Sequence, residues 1–171
     1  MRRRTSLSDE MGDPIGIFAL ADASGLVSLD GFARLAAAGE RRVFAEGDEL
    51  MRQGDDANSM FVVLSGKVRV TREHRDLSAP MVLAILGPGE IVGEMGLLDG
   101  EPRSATVDAV EDTITMEVSK EALTRAVLRY PELYGALAKV LSKRLREAGD
   151  LAASLASGAM IAGQSSEDEP F

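Results

Sequence analysis

The chain contains no cysteine, no tryptophan and one histidine, and only 4% of its 171 residues are aromatic. Without cysteine there are no disulfides, no zinc–thiolate sites and no thiol nucleophiles. A lone His74, set in the polar run Arg72-Glu-His-Arg-Asp76, is read as solvated and excludes most histidine-based metal sites and triads. Basic residues are also scarce, 19 Lys and Arg against 28 Asp and Glu, for a net charge of −9. Such a surface is a poor platform for nucleic acid or for an anionic membrane. No apolar run approaches the ~20 residues needed to span a bilayer, the longest strongly apolar strings being of the kind Met81 to Leu86. Arg2-Arg3-Arg4 imitates the start of a signal peptide, but Asp9, Glu10 and Asp13 precede a short apolar stretch, which is the wrong order. The expectation is a cytoplasmic protein with no nucleic-acid or membrane partner.

What is present divides into five parts. Residues 1–14 read as a disordered basic arm and 158–171 as a disordered acidic tail. Arg3-Arg4-Thr5-Ser6 in the arm matches the preference of basophilic kinases, with Ser6 as the acceptor. Residues 15–39 form an Ala- and Leu-rich N-terminal helical segment, with Leu29, Phe32, Ala33, Leu35 and Ala36 at helical spacing and Gly39 as a stop.

From residue 40 to 118 the apolar period drops to two. Lys67-Val-Arg-Val-Thr71 and Thr113-Ile-Thr-Met-Glu-Val118 alternate, while Met60 to Leu64 and Met81 to Leu86 are continuous runs expected for core strands. Glycine punctuates the region at 47, 54, 66, 87, 89, 93, 96 and 100. Short strands with regular turn signals indicate an antiparallel β jelly roll. Helices follow over 119–157: Ser119 caps the first, and Pro131 breaks it and starts another. Leu133, Leu137, Val140, Leu141 and Leu145 form one apolar stripe, which Leu151 and Leu155 extend beyond Gly149.

Residues 87–109 carry the chemistry. Gly87-Pro-Gly89 turns the chain, Gly93 permits a sharp reversal, and Gly93 to Leu98 is long enough for one helical turn with free N–H groups. In the strand that follows, Arg103 shares its face with Ala105, Val107 and Ala109. A guanidinium at the end of an apolar face needs a partner. That partner is either Glu94, in a structural ion pair, or an anionic ligand such as a phosphate, which suits the planar fork of arginine.

This stretch resembles the phosphate-binding cassette of the cyclic nucleotide-binding domain family: Gly93-Glu94-Met95-Gly96-Leu97-Leu98, then Arg103-Ser104-Ala105 and Ala109. Glu46-Gly47-Asp48, Gln53-Gly54-Asp55, Phe61 to Val68 and Tyr130-Pro131-Glu132-Leu133 are similar to further landmarks of the family in the same order. The family includes regulatory subunits of cAMP-dependent kinase, cyclic-nucleotide-gated channels and the bacterial catabolite activator. The resemblance implies a β-roll with C-terminal helices and a role for each cassette residue. Arg103 would bind the exocyclic phosphate, each charge-assisted bond contributing roughly 1.5–3 kcal/mol. Glu94 would accept from the ribose 2′-hydroxyl. Backbone N–H groups of Met95 and Ala105, with the Ser104 hydroxyl, would complete the phosphate cradle. Gly93 would let the backbone approach the ribose, and Leu97 and Leu98 would dock the cassette helix. Ser104 leans towards cAMP, with cGMP as the other candidate ligand.

Where the bacterial activator has hydroxyls that bind adenine, this chain has Ala148 and Gly149. Leu145, Leu151 or Leu155 would cap the base instead. The chain stops too soon after its last helix to hold the winged helix-turn-helix of the family's transcription factors, and no carboxylate dyad or triad suggests an enzyme. The expected function is a non-enzymatic cyclic nucleotide sensor that signals by C-terminal helix movement to a separate effector protein, with a homodimer formed through that helix. Two alternatives stand beside it: a ligand-independent structural or interaction protein, and a transcription-regulator relic lacking its DNA reader.

Overall fold

The computed structural model describes residues 34, 35 and 37–164, with side chains described through Ser154. The expected basic arm, nearly all of the N-terminal helical segment, and residues 165–171 therefore lie outside the described residues. Arg34, Leu35 and Ala37 are helical, and Leu35 is fully buried.

Eight strands follow: β1 (Glu40–Phe44), β2 (Glu49–Met51), β3 (Ser59–Ser65), β4 (Val68–Arg72), β5 (Met81–Leu86), β6 (Ile91–Val92), β7 (Thr106–Ala109) and β8 (Thr113–Ser119). One short helix, α1 (Glu94–Asp99), separates β6 from β7, and α2 (Lys120–Arg129) and α3 (Glu132–Gln164) close the chain. The strands form two four-stranded sheets, ordered β1-β8-β3-β6 and β2-β7-β4-β5, and every pairing is antiparallel. The two sheets make the jelly roll expected from the period-two pattern.

The continuous apolar run of β3 has a simple cause: both of its faces are covered. Met60 and Val62 point into a cluster with Leu123, Val127, Leu133, Leu137 and Val140 of the helices. Phe61 and Val63 point the other way, into a cluster between the sheets with Val68, Val70, Leu86 and Val107. Each fully buried side chain of this size contributes about 1.5–3 kcal/mol, so β3 ties three layers together: helices, first sheet, second sheet.

Met81 to Leu86 departs from the expected core strand. β5 is an edge strand, and Met81, Val82, Leu83 and Ile85 are exposed. A run of apolar residues records no side, so a projecting edge hairpin and a buried strand read alike.

The α2 cap is formed as expected, with the Ala122 N–H donating to Ser119 Oγ at 3.1 Å. The stripe of α3 divides. Leu133, Leu137 and Val140 are buried against the roll, whereas Leu145 and Leu151 are 76% and 40% exposed. The helix runs unbroken through Gly149 to Gln164, past the limit of 157 expected for it. At 1.5 Å per residue its 33 residues extend about 50 Å, and residues 145–154 are exposed. Among the described residues, no helix is long and apolar enough to cross a membrane.

Candidate functional site

The cavity that matters lies where β6, α1, β7 and α3 meet. Its volume is about 30 Å³, room for about one water molecule and well below the ~300–1,000 Å³ usual for small-molecule sites, so a ligand needs the walls to part. The sequence places its walls locally. β6 ends at Val92, and Gly93 turns the chain with φ 83°, a left-handed conformation that suits glycine. A Cβ at Gly93 would come 2.6 Å from Arg103 Nη1 and 2.7 Å from Met51 Cε, so the position also needs the absence of a side chain. Gly96 is required for the same spatial reason, because a Cβ there would collide with Ala57. Leu97 is buried and anchors α1. Leu98, expected to share that role, is 41% exposed, because it lies on the solvent side of this single turn and a half.

Gly93, Glu94, Met95, Ser104 and Ala105 all line the cavity, with Met51, Val70, Val92, Gly96, Val107 and Arg144. Arg103 sits directly behind Gly93. It is 7% exposed, and its Nη1 donates to the Gly93 carbonyl at 3.0 Å while Nη2 donates to Ser59 Oγ at 3.3 Å. Loop anchors fix it from both sides: its N–H donates to the Asp55 carbonyl at 2.8 Å, and its carbonyl accepts from Gly54 N at 2.9 Å. The alternation expected after it holds in burial, with Arg103, Ala105, Val107 and Ala109 buried and Ser104 exposed. The strand itself begins later, at Thr106.

The choice between Glu94 and an anion as partner of Arg103 is resolved in part by distance. Among the described residues, Arg103 has no carboxylate within ion-pair range. Glu94 instead faces Arg144, at 3.3 Å from Nη1 to Oε1. Both carboxylate oxygens of Glu94 are buried, and neither receives a hydrogen bond, so the contact with Arg144 is Coulombic rather than an aligned bond. Burial pushes the Glu94 carboxyl above the usual carboxylate range, against the opposing pull of Arg144, of its own backbone N–H, which lies too far off line for a hydrogen bond, and, more weakly, of Arg103. Burial likewise lowers the Arg103 guanidinium from its ordinary value, although Glu117, Asp55 and Glu94 oppose it. The cavity wall thus holds a buried carboxylate, while the Arg103 fork, the one expected site residue that does not line the cavity, lies behind Gly93 and does not pair with Glu94. Ser104, half-facing solvent, has its hydroxyl 3.9 Å from the Met95 thioether.

The residue that sequence reasoning missed is Arg144. Lys139, Lys143, Arg144 and Arg146 read together as a basic, solvated side of α3. Arg144 in fact reaches into the cavity, meeting Glu94 and donating to the Ile91 carbonyl. Beside it Lys143 meets Glu90 at 3.3 Å. The leucines expected to cover the base do not: Leu145 and Leu151 are exposed and outside the cavity wall, and the Leu155 side chain lies outside those described. The faces of α3 explain this. With Leu133, Leu137 and Val140 on the roll, Arg144 continues that face and Leu145 turns away.

A jelly roll carrying a glycine-rich helical turn and a buried arginine in the loop before β7 defines the class of regulatory ligand-binding domains. Residues 41–130 match the cyclic nucleotide-binding domain family, and the chain belongs to that family. It is 42% identical over 109 residues to the cyclic AMP receptor protein of Thermus thermophilus, a match covering 64% of this chain and 50% of that protein. The crystal structure of the Thermus thermophilus catabolite activator protein superposes with a TM-score of 0.67 at 37% identity, over 83% of this chain and 63% of that one. The c-di-GMP responsive global regulator CLP of Xanthomonas campestris superposes with a TM-score of 0.65 at 30% identity, over 74% of this chain and 64% of that one. The chain spans half the length of the curated Thermus relative. Residues 41–130 are thus a regulatory cyclic nucleotide-binding domain.

Proposed function

We propose that the protein is a cyclic nucleotide sensor whose ligand is cAMP, bound in the cavity between α1, β7 and α3, and that it signals to a separate protein through α3. The observation that carries this reading is Glu94: a fully buried carboxylate without a hydrogen-bond donor, on the wall of the cavity that Arg103 backs. Burying a charged acceptor and leaving it unsatisfied costs free energy. A ribose 2′-hydroxyl supplies the missing donor, and the phosphate of the same ligand supplies the anion for Arg103. Ser104 and the N–H groups of Met95 and Ala105 complete the phosphate cradle, and Gly93 leaves the approach open. Arg144 lines the same cavity and meets Glu94 there. Ligand entry would displace Arg144 from Glu94, and α3 would shift with it. The ligand drives this shift only by the difference in its affinity for the two positions of α3. The exposed Leu145 and Leu151 on α3 provide the surface for the output, and a second copy of the chain is the partner that a two-fold helix pair would place there.

Calorimetric titration with cAMP, cGMP and c-di-GMP tests the reading. The expected result is one saturable site per chain, tightest for cAMP. The Thermus cyclic AMP receptor protein favours cAMP by name, and CLP makes c-di-GMP the ligand to compare. No heat or protection with any of the three at millimolar concentration overturns the sensor reading and leaves α3 as a ligand-independent interaction surface.

A further inference from the structure

Arg103 makes two side-chain hydrogen bonds, and both acceptors are neutral: the Gly93 carbonyl at 3.0 Å and Ser59 Oγ at 3.3 Å. The choice of acceptor matters for an arginine that must meet an anion. A carboxylate in the place of Ser59 would orient the guanidinium, but it would also neutralise the charge and compete with an incoming phosphate through a bidentate pair. Two neutral oxygens hold the plane of the fork and leave its charge uncompensated at contact distance. They also engage only two of the five N–H donors that arginine carries, so three stay available.

Ser59 is well placed for such a task. It opens β3, where its Cα pairs with Ser119 of β8, the residue that caps α2. Its neighbour Asn58 accepts a hydrogen bond from the Lys120 N–H at 3.0 Å. The hydroxyl therefore stands on backbone tied into the first sheet and the start of α2, while Arg103 belongs to the loop before β7 in the second sheet. One side-chain contact thus bridges the two sheets behind Gly93 of the cavity wall.

We infer that Ser59 is a positioning residue for Arg103, a neutral acceptor that orients the guanidinium towards the cavity without neutralising it. The inference rests on the reading of Arg103 as the phosphate anchor. Two predictions separate it from a merely structural role. Removing the acceptor should weaken binding modestly, and replacing it by a charged acceptor should weaken binding far more while leaving the fold at least as stable.

The test uses the full chain and calorimetric titration with cAMP. Ser59→Ala should bind about threefold to tenfold more weakly, the scale of one hydrogen bond to a charged group. Ser59→Thr, which keeps the hydroxyl, should restore wild-type affinity. Ser59→Asp should lose more than about 100-fold with its melting temperature unchanged or raised, because the carboxylate pairs with Arg103 in place of the phosphate. Ser59→Asn, polar but uncharged, gives the comparison should the aspartate variant fail to fold, and it should stay within about tenfold of wild type. Side-chain nitrogen resonances of Arg103 give a second readout: restricted in wild type and in Ser59→Thr, averaged in Ser59→Ala. Wild-type affinity in both the alanine and aspartate variants, or failure of threonine to restore binding, overturns the inference while the sensor reading survives. A wild-type chain that binds no cyclic nucleotide overturns both.

Discussion

Arg144 on α3 holds its Nη1 3.3 Å from Oε1 of Glu94 on α1, and no other cation lies within ion-pair range of that carboxylate among the described residues. Arg144 retains 27% side-chain exposure while Glu94 has none. The pair is therefore asymmetric: the arginine can return to water at little cost, and the glutamate cannot. Arg144→Ala should leave a buried carboxylate uncompensated. Breaking a fully buried pair costs ~3–5 kcal/mol, and the exposure of Arg144 reduces the expected loss to about 1–3 kcal/mol. In the Glu94→Gln background the same substitution should cost far less. Chemical denaturation of the four proteins of this double-mutant cycle gives the coupling; equal losses in both backgrounds would show that the contact contributes nothing to stability.

The pH dependence of stability follows from the same carboxylate. Burial raises the folded Glu94 carboxyl above its ordinary value near 4.5. Between the ordinary and the raised value, the folded chain keeps a proton that the unfolded chain has released. Glu94 thus destabilises the fold progressively as pH rises through this window, and the penalty disappears below the ordinary value. Glu94→Gln removes the titration. Its stability relative to wild type should therefore increase on going from about pH 4.5 towards neutral. A difference that stays flat across that range, measured by urea unfolding, would mean that Glu94 titrates normally.

Ligand variants separate the two charged groups. Arg103→Ala should weaken cAMP binding by at least about tenfold, ~1.4 kcal/mol per decade. Arg103→Lys should also lose affinity, because a point charge cannot form the planar fork and cannot reproduce both the Gly93 and Ser59 contacts. Glu94→Gln should cost cAMP more than 2′-deoxy-cAMP, since the acceptor role concerns the ribose hydroxyl alone. Equal losses for the two ligands would assign Glu94 to holding Arg144 instead.

How far the sequence revealed this arrangement depended on whether a signal was local. The turn at Gly93, the single helical turn after it and the alternation from Arg103 to Ala109 are set by neighbours a few residues away, and each was legible. So was β3, whose unbroken apolar run does match burial on both faces. The matching run of β5 misled, because pattern shows which residues are apolar and not whether a strand lies at an edge. Arg144 was illegible for a related reason. It is one of four cations within eight residues of α3, and only the docking of Leu133, Leu137 and Val140 on the roll decides which cation turns inward. Ser59 left no signal either, since its partner is 44 residues away and joins it across two sheets.

The outer half of α3 gives the last prediction. Gly149 lies inside a continuous helix, its φ is not positive, and a Cβ there would meet nothing within 4 Å. Nothing steric requires glycine, which costs ~1 kcal/mol relative to alanine in a helix interior. On the sensor reading proposed above, the joint would let residues 150–157 fold down over bound nucleotide beside Arg144. Gly149→Ala should then stiffen the helix and lower amide exchange over residues 145–154 in the free protein. In wild type, cAMP should increase protection over this stretch; in Gly149→Ala the ligand-induced gain should shrink and affinity should fall. Leu145→Glu, on the face turned away from the cavity, should leave affinity unchanged and convert a dimer to a monomer in light scattering. If cAMP changes exchange equally in wild type and Gly149→Ala, α3 moves as one rigid rod pivoting nearer Pro131, and the output surface moves with the whole helix.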